Sequence, residues 1–106
     1  MPRTKKAIDA AALSGIDRVI HEPARLAIVS VLRAFETADF LFLLKQTELS
    51  RGNLSSHLTK LEAAGYVQIT KEFVEKIPRT LVRLTDLGRK AVASYRAEMD
   101  RVLGRL

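Results

Sequence analysis

The sequence predicts a mainly helical α+β domain, with short helices, one small β-hairpin and a long last helix. Three observations carry that prediction. Leu54, Leu58 and Leu61 recur at the spacing of one helical face. From Tyr66 to Val74 the period changes, with β-branched and aromatic residues in partial alternation, and Thr80 to Leu84 continues in that manner after a proline. The length of 106 residues, with 47% apolar and 28% charged content, suits one globular domain whose modest core profits from a partner chain.

Composition excludes several chemistries. Without cysteine there are no disulfides, thiolate metal sites or thiol-based sensors. His21 and His57 are too few for a histidine-built metal site unless carboxylates or a second subunit contribute. There is no glycine-rich phosphate loop and no histidine with carboxylates at catalytic spacing, so neither an enzyme nor a cofactor is expected. The pairs Asp9/Asp17 and Glu72/Glu75 read as solvated surface charge. No apolar run spans a bilayer and MPRTKKAID lacks the apolar core of a secretion signal, so a cytoplasmic location without membrane contact is expected. The net charge of +6 favours a polyanionic partner. Its distribution says more: residues 51–83 hold six Lys or Arg against three acids, residues 7–50 four against six.

Taken in order, residues 1–15 read as a basic arm and an N-terminal helix, alanine-rich from Ala7 to Ala12 and broken near Ser14 and Gly15. Ile16, Val19 and Ile20 form a short apolar stripe. His21-Glu22-Pro23 starts the core helix, proline being favoured in a first turn where its missing N–H costs nothing. Leu26, Ile28, Val29, Val31, Leu32 and Phe35 then make an arc too wide for a surface helix. Ala34 to Ala38 is a polar turn, and Asp39 starts a short apolar helix through Leu44, ending near Gln46. Ser50 caps the next helix, 51–64, and Gly65 ends it. The hairpin follows, with a strand from Tyr66 to Val74, a turn from Glu75 to Arg79 and a return strand from Thr80 to Leu84. Pro78 stands where no ladder donor is needed. Thr85 caps a final helix from Asp86 to about Leu103. Within residues 89–106, Val92, Tyr95, Met99, Val102 and Leu106 recur at steps of three and four, the seam of a homodimer contact.

The helix 51–64 organises the rest. Opposite its leucines stand Gly52, Asn53, Ser56, Thr59 and Lys60, and no acid occurs between Arg51 and Lys60. A leucine stripe with a polar back also describes an ordinary solvated helix. The missing acids, the short helix before it and the hairpin after it set this one apart. They give the order of a helix-turn-helix with a wing over residues 16–88. The DNA major groove admits such a helix and offers partners for its amide and hydroxyls.

HEPARLAIVSVL resembles the core helix of small winged-helix regulators. ELSRGNLSSHLTKLEAAGYV with IPRTLVRLTDLGRKA closely resembles stand-alone winged-helix DNA-binding regulators, near relatives of the MarR and ArsR families. The resemblance covers about Ile16 to Tyr95. It implies a winged helix-turn-helix with N- and C-terminal dimerisation helices, and a dimeric prokaryotic regulator of double-stranded DNA. A repressor that blocks polymerase at a palindrome is the simplest form. The DNA-binding residues implied are Arg51, Asn53, Ser55, Ser56, His57, Thr59 and Lys60 on the helix, with Lys71, Lys76, Arg79 and Thr80 on the wing. Asn53 and Ser56 suit base edges, whereas Arg51, Lys60 and Arg79 suit phosphates. Relatives often carry a glycine and two arginines before Pro-Arg-Thr, where this chain has Glu75-Lys76-Ile77. Any small-molecule effector would sit between the dimer helices and the DNA-binding units, near Phe35, Phe40, Phe42 and Tyr95. Two competing readings use the same residues, as a protein-interaction module or as a sequence-neutral coat on DNA.

Overall fold

Each α-helix begins at a side chain that takes up N–H groups its first turn leaves free. Glu22 accepts from the N–H groups of Ala24 and Arg25 at 2.8 and 3.0 Å, and Asp39 accepts from Phe42 at 2.7 Å. Ser50 accepts from Asn53 at 3.1 Å and Thr85 from Gly88 at 3.0 Å. From these caps the computed structural model, which describes residues 10–104, builds α1 (Pro23–Ala34), α2 (Phe40–Thr47), α3 (Arg51–Ala63) and α4 (Asp86–Leu103). Strands β2 (Val67–Val74) and β3 (Ile77–Leu84) form the hairpin, and a two-residue strand β1 (Ala38–Asp39) adds to its other side. The antiparallel sheet runs β1-β3-β2. The expected fold class, a helix-turn-helix with a β wing, is what forms.

Several expectations are corrected. Ala10–Gly15 is a 3-10 helix rather than the tail of an α-helix. The basic arm and residues 7–9 lie outside the described residues. Phe35 ends α1 instead of joining its buried arc; it is 47% exposed and meets Phe42 edge to face at 5.0 Å. β1 has no period of its own in two residues and becomes visible only through its pairing with Leu81 and Val82. The turn is shorter than expected: Glu75 and Lys76 alone make it, with φ of 52° and 67°. Positive φ at both central residues is what a two-residue hairpin turn matching the strand twist requires. Ile77, Pro78 and Arg79 therefore belong to β3. Val74 and Ile77 close the turn, so Phe73 and Pro78 form the next, non-hydrogen-bonded pair. The proline nitrogen points away from β2, beyond the reach of β1.

The core gathers the inward residues of every layer. Ile28, Val29 and Leu32 of α1 meet Leu43 of α2, Leu54, Leu58 and Leu61 of α3, and Val82 and Leu84 of β3. Each such side chain contributes about 1.5–3 kcal/mol of burial. Among the described residues no charged group is buried with them.

Two polar joints fix α3 within this frame. Gly65, at φ +80°, turns the chain out of α3, and its carbonyl accepts the Thr85 hydroxyl at 2.6 Å. The Thr85 N–H donates to the Tyr66 carbonyl at 3.0 Å, and a Cβ on Gly88 would stand 2.1 Å from that same oxygen. The start of α4 is thereby locked against the α3–β2 corner. Asp17 makes the second joint, contrary to its reading as solvated charge. One carboxylate oxygen accepts from the N–H groups of Val19 and Ile20, and the other accepts the Tyr66 hydroxyl at 2.5 Å.

Candidate nucleic-acid interface

The leucine row of α3 faces inward, so a helix of 3.6 residues per turn turns Gly52, Ser56 and Ala63 directly outward. Asn53, Thr59 and Lys60 flank that ridge, and all six are exposed. The Ser50 cap uses the backbone N–H of Asn53, which leaves the side-chain amide pointing to solvent. The Thr59 hydroxyl donates to the Ser55 carbonyl at 3.0 Å and keeps only its acceptor side for a partner. Gly52 is informative because a Cβ there would meet nothing within 4 Å. Packing within the fold does not require a glycine at that point.

On one flank, Arg51, Ser55, Thr59 and Glu62 line a cleft of about 570 Å³ whose far wall is Ile69, Lys71 and Thr80 of the wing. Lys71 and Thr80 are cross-strand partners, so one face of the wing carries both toward α3. Arg51 also borders a second cleft of about 420 Å³, between the start of α2 and residues 77–80. Arg79 is not part of the Lys71–Thr80 row. It pairs across the ladder with Glu72 on the reverse face of the wing, while Lys76 stands at the turn.

The other flank is held to α1. The Arg25 guanidinium donates to the Val19 carbonyl at 2.6 Å and approaches His57 Nδ1 at 3.1 Å, with Glu22 Oε2 3.4 Å from the same nitrogen. Both contacts fall on one ring nitrogen, so through it His57 serves either Arg25 or Glu22, not both at once. Burial pushes the Glu22 carboxyl up, but the N–H groups of Ala24 and Arg25, then His57 and the Arg25 charge, outweigh it and hold it below the usual carboxylate range. His57 is thus a strut between α3 and α1, half-buried beside the outward face. Lys60 lies in a shallow depression with Arg18. Arg18, an isolated arginine outside any helix or strand, carries no period or motif in the sequence.

The remaining expected residues separate. Val92 and Tyr95 are each 8% exposed within the chain's own core, and the Tyr95 hydroxyl lies 2.8 Å from His21 Nδ1. Met99 and Val102 are half-buried, and Leu106 lies outside the described residues. The four aromatics do not converge on one cavity. Phe40 borders the α3–wing cleft and Tyr95 a depression of about 310 Å³ between α1 and α4, while Phe35 and Phe42 pack on each other. Among the described residues, no cluster of three or more His, Asp or Glu could hold a metal ion. No described helix is long and apolar enough to cross a membrane.

A helix with a small polar outer face, carried on a helix-turn-helix and flanked by a β wing, defines a winged-helix transcriptional regulator. The family model of the winged helix DNA-binding domain matches residues 24–103, and the chain belongs to that family. It is 31% identical over 78 residues to an uncharacterised protein of Methanocaldococcus jannaschii, covering 74% of this chain and 85% of that protein. The structure of a transcriptional regulator homologue from Pyrococcus horikoshii OT3 superposes with a TM-score of 0.83 at 30% identity, over 89% of this chain and 95% of that one. A MarR-family regulator from Silicibacter pomeroyi shares the fold, with a TM-score of 0.58 at 22% identity over 89% and 65% of the two chains. The family is one of DNA-binding proteins, not of enzymes.

Proposed function

We propose that the protein acts as a homodimeric repressor that reads a palindromic operator in double-stranded DNA. The observation that carries this reading is the outer face of α3, small, polar and free of acids from Arg51 to Lys60, beside a cleft walled by Lys71 and Thr80. In the major groove the Asn53 amide pairs with adenine and the Ser56 hydroxyl accepts or donates as the base requires. Gly52 lets the helix start approach the base edges. Arg51 and Lys71 hold one phosphate backbone on the wing side, and Lys60 with Arg18 holds the other.

The exposed end of α4 supports the dimer reading. Its first turns serve the protomer's own core, but Met99 and Val102 stay half-buried and Leu103 is 53% exposed beyond it. Leu13, next to α4 in the fold, is 45% exposed as well. A second copy covering these residues pairs two α3 helices about a two-fold axis, and repression results from occupying polymerase's site. Titration of random duplex DNA across a salt series tests the polyanion contact. Affinity should fall linearly on a log–log plot with a slope of several phosphates. Binding that ignores salt would remove DNA as the partner.

A further inference from the structure

The tip of the wing is apolar where a phosphate-gripping hairpin would be cationic. Phe73 is 76% exposed and Ile77 62%, with Val74 and Pro78 beside them in solvent. The charges around them cancel, Glu72 and Glu75 against Lys76 and Arg79. Phe73 neither belongs to the core nor packs against it. Exposed apolar side chains grouped at one projecting point mark a contact surface.

The register fixes which way that surface looks. Phe73 and Pro78 continue the row of Lys71 and Thr80, the same face that walls the cleft with α3, and Val74 with Ile77 occupies the reverse. A duplex seated on α3 and that cleft therefore runs on toward the tip. We propose that the tip is a minor-groove wedge: Phe73 enters the minor groove beside the base pairs read by α3 and partly unstacks one base step. This rests on the DNA-binding reading above. The minor groove, about 6 Å wide, is open to a single projecting side chain rather than to the whole hairpin. Base faces are apolar, and aromatic or aliphatic wedges between them kink the duplex at flexible pyrimidine–purine steps. A neutral tip gains nothing from phosphates, whereas an apolar one gains from leaving water. The Glu75–Lys76 turn keeps the two strands paired to their end, so the ladder carries Phe73 out to the tip.

The test uses the full chain and the duplex it retains best from a random pool. 2-Aminopurine is placed at successive pyrimidine–purine steps outward from the protected bases. Binding of the wild type should raise fluorescence at one step on each side, and Phe73→Ala should abolish the rise. The variant should bind about tenfold more weakly, as expected for loss of one base–aromatic stack, with the salt slope unchanged. Its melting temperature should match wild type because the side chain touches no core. Silent 2-aminopurine with unchanged affinity overturns the wedge, and so does a reduced salt slope, which would make the tip a phosphate contact. Weaker self-association of Phe73→Ala in sedimentation would assign the tip to a second copy and also overturn it. A wild type that binds no duplex at all would sink the regulator reading itself, a distinguishable result.

Discussion

Asn53 and Gly52 carry opposite kinds of prediction, because one supplies a group and the other supplies the lack of one. Asn53→Ala should lower discrimination at a single base pair by about 1–3 kcal/mol, read by titrating the operator against its single-base variants. Full discrimination in the variant would remove the assigned role. Gly52→Ala should stabilise the fold by about 0.5–1 kcal/mol in urea, since the added methyl meets open space in a helix. The same change should weaken operator binding; a variant both more stable and equally tight would show that no close approach occurs there. Tyr66 gives a pH dependence. Its hydrogen bond to the Asp17 carboxylate, then burial and the carboxylate's charge, push the phenol up to about 12 from 10.0. A value raised in the folded state means the contribution is complete below pH ~10 and is lost as pH rises through ~12. Tyr66→Phe should cost about 1–2 kcal/mol near neutrality, and the gap between variant and wild type should close toward pH ~12. A constant gap from pH 7 to 12 would contradict the assignment.

At the scale of elements, what the sequence made legible were the features with a local signature. Ser50, Asp39 and Thr85 announce their helices as caps, and the leucines of α3 name its buried side. β1 was illegible because two residues have no period, and the turn was overdrawn because Pro78 reads as a turn residue until register shows its nitrogen facing outward. Phe35 was misplaced since an apolar residue one step past Ala34 looks continuous with the helix. Gly88 has no local signature, because a glycine pressed against a carbonyl reads in sequence like any other glycine. It supplies the prediction proper to this scale. Gly88→Ala would drive a methyl into the Tyr66 backbone, and the α3–β2 corner cannot yield without moving Gly65 and Thr85. Overpacking of this kind costs about 1–3 kcal/mol or more. Denaturant melts should show that loss, and a wild-type midpoint would mean the corner is looser than its hydrogen bonds indicate.

The whole molecule is long for its size. Its radius of gyration is 16.8 Å where a compact chain of this length has about 13 Å, and its longest extent is 67 Å. The wing and the end of α4 both present apolar groups to solvent. The seam on α4 was legible as a period but not as an interface, because Val92 and Tyr95 obey the same spacing while packing at home. Val102→Glu should therefore convert dimer to monomer in sedimentation velocity without unfolding the domain, and reduce operator affinity by more than tenfold through loss of the second half-site. An unchanged dimer would move the contact elsewhere. The central claim, that α3 reads base sequence from a two-fold dimer, is tested most directly by selecting bound sequences from a random duplex pool at near-physiological salt. A palindrome is expected, with half-site centres about 34 Å, one helical turn, apart. Recovery of no motif, with binding that still falls steeply in salt, would contradict it and leave a sequence-neutral coat on DNA.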